Sequence, residues 1–269
     1  MKRLNLVILG GILLSGLFVA CTTSEDFSMV NESYFSSITS VEKSSSASDE
    51  AVVATDSYLA ADSTQKVRSV EKVEASVRLK WPIITIISPE ISVVDFGDGF
   101  ILPSGKVIKG QVYISQILYN ANEIGKRYDF KNLSINNNPI KGYRIVTGVP
   151  GVLRTLRIVV SDTTTLANGI NVIRNSNRTR TCIDSYKNWT YNSYSFSGIS
   201  SGVNSNNVAY QIEIIKPMIS LNGYKYYVSG TIKTTTNKGT QLVDFGNGEK
   251  DSLATSTINN VTKDIILKW

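Results

Sequence analysis

The sequence contains no histidine, and this absence removes more chemistry than any motif adds. Without imidazole, neither a Ser-His-Asp nor a Cys-His arrangement can activate a nucleophile, and zinc loses its His ligands. Cysteine is scarce too, with only Cys21 and Cys182. Once Cys21 is used as described below, no intramolecular disulfide can form, and Cys182 reads as a half-buried strand residue. Charge is unevenly spread. Residues 22–80 hold ten acids and six bases, a balance of −4, whereas residues 81–269 hold twelve acids and twenty bases, a balance of +8. A basic domain can meet acidic glycans or lipid headgroups through general electrostatics, and dispersed lysines also simply keep a domain soluble.

The chain opens Met1-Lys2-Arg3 and continues as an apolar run from Leu4 to Ala20, broken by Asn5, Ser15 and glycines. A positive start, a short apolar stretch and a small residue before position 21 make residues 1–20 a secretory signal. The run is at or just below bilayer-spanning length, and no charges follow it directly to stop transfer. The junction Leu17-Phe18-Val19-Ala20-Cys21 resembles the lipobox read by lipoprotein signal peptidase, with Phe18 where Leu is more usual. That resemblance implies that Cys21 becomes the acylated N-terminus, each buried methylene adding about 0.8 kcal/mol of membrane affinity. Thr22 is not the aspartate of an inner-membrane retention signal, so an outer-membrane address is expected, which leaves no role for nucleic acid. Ser24-Glu25-Asp26-Phe27 resembles the surface-export signal of Bacteroidota-type lipoproteins and tilts the expectation toward surface exposure over a periplasmic position.

Residues 22–62 are rich in Ser, Thr, Ala and acids around the run Ser44-Ser45-Ser46-Ala47-Ser48. Such a composition buries too little apolar surface to offset its ordering entropy, so it reads as a flexible tether. From 64 to 80 the pattern is double. Val67, Val70, Val73 and Val77 recur at helical spacing, while Val73, Ala75, Val77, Leu79 and Trp81 alternate as in a strand; a short helix is preferred. The expected organisation is a signal at 1–20, an anchored tether with a short helix at 21–80, and an antiparallel β-domain at 81–269.

Beyond Trp81 the chain turns to β-branched and aromatic runs punctuated by Gly, Asn and Pro. Strands are predicted at 83–87, 91–96, 107–119, 126–135, 140–147, 152–161, 170–182, 190–198, 208–216, 224–234, 240–245, 253–258 and 261–268. Short turns such as Asn136-Asn137-Asn138-Pro139 and Ala167-Asn168-Gly169 link them. The fold class is therefore all-β, an antiparallel meander or sandwich-like sheet. Alternation places Arg174, Ser176, Arg178 and Arg180 on one face of their strand, and Tyr224, Tyr226, Val228 and Ile232 on one face of another.

Val93-Val94-Asp95-Phe96-Gly97-Asp98-Gly99 is echoed by Leu242-Val243-Asp244-Phe245-Gly246-Asn247-Gly248. The echo predicts two equivalent strands and a pseudo-duplication. Asp-Phe-Gly also belongs to kinases, but a chain without histidine lacks their His-Arg-Asp loop. Asp98-Gly99 and Asn247-Gly248 suit a type I′ turn or a bulge. Carboxylates at 95 and 98, or at 244, 249 and 251, offer oxygens to calcium, although their spacing fits no fixed calcium loop.

Taken in order, Trp81-Pro82, Asp95-Phe96-Gly97-Asp98-Gly99, Gly105-Lys106-Val107-Ile108-Lys109-Gly110-Gln111-Val112, Lys141-Gly142-Tyr143-Arg144, Asn177-Arg178-Thr179-Arg180-Thr181, Tyr227-Val228-Ser229-Gly230-Thr231-Ile232 and Asp244-Phe245-Gly246-Asn247-Gly248 resemble a family of Bacteroidota-type lipoproteins of unknown function. The resemblance spans roughly 81–267, implies a lipid-anchored β-domain, and supplies no catalytic residues. This chain lacks cysteines near Trp81 and the two Gly turns, so no disulfide is implied.

Candidate ligand-binding residues are Arg174, Arg178 and Arg180 with the neighbouring aromatics Trp189, Tyr191 and Tyr194. With Tyr186 and Phe196, these aromatics suit either stacking on sugar rings or cross-strand packing. No cofactor or metal ligand set is implied. The expectation is a non-enzymatic binding or structural module on the outer membrane, partnered by the membrane itself and by glycan or an envelope protein. A carboxylate-based polysaccharide hydrolase and an accessory subunit of an envelope complex are the alternatives.

Overall fold

A computed structural model describes residues 51–52, 54–56, 59, 82–102, 105–148, 155–184, 193–224 and 226–267. The signal segment, Cys21, the helix expected at 64–80, Trp81, Tyr186, Trp189 and Tyr191 lie outside these residues. The strands are β1 (Ile83–Ser88), β2 (Ile91–Asp95), β3 (Phe100–Ile101), β4 (Val107–Asn120), β5 (Glu123–Ile135), β6 (Asn138–Gly148) and β7 (Thr155–Thr165), followed by β8 (Asn171–Cys182), β9 (Tyr194–Val203), β10 (Ala209–Ser220), β11 (Tyr227–Thr236), β12 (Gly239–Asn247), β13 (Leu253–Ile258) and β14 (Val261–Ile266).

All fourteen belong to one antiparallel sheet, ordered β1-β2-β4-β5-β6-β7-β8-β9-β10-β11-β12-β13-β14, with β3 on β4 beside β2. The sheet does not close, and among the described residues β1 and β14 are its open edges. Of the two architectures expected, the meander is the one found. Its tightest hairpins use adjacent asparagines with positive φ, Asn136-Asn137 and Asn259-Asn260, the backbone pairing of a type I′ turn.

One face of the sheet holds the core, in two apolar clusters. The first joins Val94, Phe96, Ile108, Val112, Tyr128, Phe130, Leu133 and Ile140. The second joins Phe196, Ile212, Met218, Ile232, Val243, Phe245, Ala254 and Ile265. A buried aliphatic side chain contributes about 1.5–3 kcal/mol, so both halves of the sheet carry substantial apolar stabilisation.

The first cluster has a lid. The described residues between 51 and 59 are helical, and Ala51, Val52 and Ala54 belong to that core, with Leu59 packed at its margin. Buried Thr55 and Asp56 extend the same face, so 51, 52, 55, 56 and 59 form a helical stripe. Within the segment expected as a tether with a short helix, residues 51, 52, 54–56 and 59 thus form a docked helix. The stripe escapes a composition-based reading because two of its five members are polar. Asp56 is accommodated by Tyr128 Oη, which donates to Oδ2 at 2.8 Å, and by Lys126 Nζ at 3.0 Å.

The Asp-Phe-Gly echo is structural as well as textual. Gly97 N–H donates to Asp95 Oδ1 at 2.7 Å and Gln111 Nε2 donates to Oδ2 at 2.6 Å. Likewise Gly246 N–H donates to Asp244 Oδ1 at 2.9 Å and Thr231 Oγ1 to Oδ2 at 2.7 Å. Asp95 lies opposite Gln111 of β4, a strand later in the chain, whereas Asp244 lies opposite Thr231 of β11, an earlier one. The match continues inward in reversed order. Val94–Val112–Phe130 corresponds to Val243–Ile232–Ile214, and Tyr128–Arg144 corresponds to Ile212–Ser200.

This is a pseudo-two-fold axis normal to the sheet, passing beside the Val160–Ser176 pair of β7 and β8. A tandem duplication would preserve strand order, so the expected pseudo-duplication is replaced by an inverted equivalence. Glycines mark the equivalent bends. A Cβ at Gly142 would sit 2.0 Å from Ser161 O, and one at Gly198 would sit 2.3 Å from Asn177 O. Only glycine lets the neighbouring backbone come so close. In each Asp-Phe-Gly turn the positive φ falls on glycine, at Gly97 and Gly246, and not on Asp98 or Asn247. The first turn is built on the aspartate's own Asx bond, not on a type I′ pair at Asp98-Gly99.

Candidate functional site

Arg174, Arg178 and Arg180 do share one face of β8, and that face is the inner one. They form a polar seam where β7, β8 and β9 pass between the two apolar clusters. Counting back from the Leu166–Ile170 turn along the β7–β8 ladder sets Asp162 opposite Arg174. Arg174 Nη2 donates to Asp162 Oδ2 at 3.0 Å, with side chains only 8 % and 3 % exposed. Arg178 Nε donates to Ser200 Oγ at 3.2 Å, and Ser200 Oγ donates to Ser176 Oγ at 3.1 Å. Arg180 stacks on Tyr194, its guanidinium carbon 4.8 Å from the ring centroid.

Tyr194 and Phe196 are buried and packed. Their rings lie 6.2 Å apart, and Phe196 continues through Tyr227 at 6.0 Å to Phe245 at 5.4 Å. Among the described aromatics beside the arginine strand, cross-strand packing is therefore the geometry found. A buried ion pair and a stacked guanidinium hold the strip in register.

The opposite, outer face of these strands is polar and, among the described residues, exposed or half-buried. On β7, β8 and β9 its residues are Ser, Thr and Asn with Val159, Ile173, Ile199 and Val203, and its only charge is Arg157. These side chains bond laterally. Ser161 Oγ donates to Asn175 Oδ1 at 2.8 Å, Thr165 Oγ1 donates to Asn171 Oδ1 at 2.8 Å, and the Thr155 and Thr181 hydroxyls meet at 3.2 Å.

Charge appears at the rim of this lattice. Arg157 Nε donates to Glu123 Oε2 at 3.0 Å, Thr147 Oγ1 donates to the same oxygen at 2.8 Å, and Arg157 stacks over Tyr119 at 5.7 Å. These hydrogen bonds, that of Arg157 foremost, hold the Glu123 carboxyl below its ordinary range. Arg127 pairs with Asp129 at 2.9 Å and stacks on Tyr143 at 4.0 Å. Neither the Glu123–Arg157 nor the Asp162–Arg174 pair follows from the sequence motifs. Asp162 could have been found from hairpin register, whereas Glu123 meets Arg157 only across β6, a non-adjacent strand that no local pattern reveals.

The carboxylates near the Asp-Phe-Gly turns do not converge on a cation. Both oxygens of Asp95 are occupied by Gly97 and Gln111, and among the described residues no group of three His, Cys, Asp or Glu side chains could hold a metal ion. Asp244 experiences a burial penalty that would raise its pKa. Hydrogen bonds from Thr231, Gly246 and Lys216 outweigh it and hold the carboxyl below its ordinary range. Among the described residues, no helix is long and apolar enough to cross a membrane. Compared with protein families, curated proteins and solved structures, the chain matches none.

Proposed function

We propose that the protein is an outer-membrane lipoprotein, anchored through acylated Cys21 and facing the cell surface, whose β-domain is a non-enzymatic binding or structural module. The observation that carries this reading is the outer face of β7–β9, a broad, nearly charge-free lattice of hydroxyls and amides that is exposed or half-buried. A neutral, hydrogen-bonding surface suits a polyhydroxylated partner such as a glycan, or an envelope protein of similar polarity. The carboxylates support the same reading over a hydrolase. Asp56, Asp95, Glu123, Asp129, Asp162 and Asp244 each accept from a neighbouring side chain. A glycosidase acid needs a raised pKa, whereas the Glu123 and Asp244 carboxyls are held below their ordinary range.

The test is binding of the detergent-solubilised lipoprotein to polysaccharide and host-matrix arrays. Saturable binding to one glycan class, weakened at least tenfold by Asn175→Asp, is expected, because a carboxylate in the lattice penalises a neutral ligand. Silence on every array rules out the glycan-binding version and leaves the structural one.

A further inference from the structure

We infer that β1 is a self-recognition edge, through which two copies of this chain pair about a two-fold axis into one continuous sheet. Among the described residues β1 is an open edge of the sheet, with a row of backbone groups facing away from β2. Natural edges are guarded by charge, proline or a covering element. β14, the other edge, carries Lys263 and Asp264, both exposed at its centre.

Among the described residues β1 has neither charge, proline nor a covering element, and its one irregularity is a register shift between Ile86 and Ser88 near its end. Its sequence, Ile-Ile-Thr-Ile-Ile-Ser, contains no charge and no proline. Ile83, Ile86 and Ile87 are 68 %, 53 % and 59 % exposed, while Ile84 packs at the margin of the first core. Left open, so apolar a strand would aggregate.

The occupant is set by the sequence of the strand itself. Residues 83–87 read the same in both directions about Thr85. In antiparallel pairing centred there, Thr85 faces Thr85 of the second copy, Ile84 faces Ile86, and Ile83 faces Ile87. Every pair then joins β-branched side chains of matched size, the favourable cross-strand combination. Such an isologous contact consumes the unguarded edge of both copies at once. What remains exposed is the charged β14 edge on either side, so assembly closes at the dimer.

Cysteine cross-linking of the full-length lipoprotein in its own membranes tests this. Residues directly opposite across antiparallel strands have Cβ atoms about 4.5–5.5 Å apart, close to disulfide reach. Under a mild oxidant, Thr85→Cys should run predominantly as a covalent dimer. Ile83→Cys alone should stay at the background set by wild-type protein, which retains Cys182. Adding Ile83→Lys or Ile87→Lys to Thr85→Cys should cut the dimer at least tenfold while protease resistance of the domain is unchanged. Three results would each overturn the inference: Thr85→Cys at wild-type background, a dimer undiminished by the lysines, or a ladder of higher oligomers. All are readable whether or not the outer face binds glycan.

Discussion

Asp162 and Arg174 sit within a seam that both apolar clusters flank, so removing one partner strands the other charge away from water. Breaking a buried pair costs about 3–5 kcal/mol, and Asp162→Ala should lower stability by that order. A matched loss in the midpoint of urea unfolding, without a change in slope, would verify it; a loss under about 1 kcal/mol would place the pair in solvent. Acid sensitivity follows from the other carboxylates. Glu123 and Asp244 have folded pKa values below their ordinary 4.5 and 3.8. Their contribution is therefore complete at neutral pH and is lost as pH falls through the depressed folded values. Thermal scans from pH 6 to pH 2 should show a shallower acid decline in Glu123→Gln than in wild type, from a lower starting stability. Tyr128 acts at the other end. Burial, reinforced by the Asp56 carboxylate, pushes its phenol far above its ordinary 10.0. The unfolded chain releases that proton near pH 10 while the folded chain keeps it, so stability falls as pH rises past 10. Tyr128→Phe should flatten that alkaline decline, measured as unfolding midpoints between pH 8 and pH 11.

The bends of the sheet depend on strands that meet closer than side chains allow. Gly142 and Gly198 occupy equivalent positions, both with φ of 121°, and a methyl at either would strike the backbone of the next strand. Gly142→Ala and Gly198→Ala should each destabilise by more than the roughly 1 kcal/mol of an ordinary backbone substitution. Gly169→Ala, at a turn with nothing within 4 Å of the added carbon, should cost only its positive-φ strain. Circular-dichroism melting of the three variants side by side distinguishes the effects. These bends explain what could be read in the chain beforehand. Alternation and turn residues suffice to locate most of the strands, because a half-buried antiparallel strand writes its burial into every second residue. Alternation fails at a bulge: where β4 shifts register between Lys109 and Gln111, and β11 between Ser229 and Thr231, inner-face residues cease to be evenly spaced. β9 runs on to Val203 and does not stop at 198, and the two-residue β3 is too short to carry any period. The docked helix was hidden differently, since Thr55 and Asp56 look solvated until Tyr128, more than seventy positions on, comes into contact. For the arginine strip, the shared face was legible but its burial was not, because that depends on what packs to either side.

At the scale of the whole molecule, one backbone ladder joins two cores that side chains keep apart. β7 and β8 pair over their full lengths, from Thr155–Thr181 to Thr165–Asn171, and Asp162, Arg174, Ser176, Arg178 and Arg180 interrupt an inner face on which Val160 and Val172 are the buried apolar residues. Hydrogen bonding between strands links the halves, whereas apolar burial, the larger source of stability, is divided between them. The inverted equivalence makes the division nearly even, since Val112 and Ile232 hold matching places at the centres of the two clusters and both are fully buried. A cavity in one half should therefore weaken that half first. Ile232→Ala removes about 2–5 kcal/mol of packing, and the inner strands of the second cluster lose protection together because they share that core. Hydrogen exchange should accelerate across β10–β13 well before β2–β6 respond, and Val112→Ala should reverse the pattern, with the helical residues 51, 52 and 54–56 exchanging along with β4 and β5. Equal acceleration in both halves for either variant would mean that the seam transmits packing as well as register, and that the sheet unfolds as a single cooperative unit.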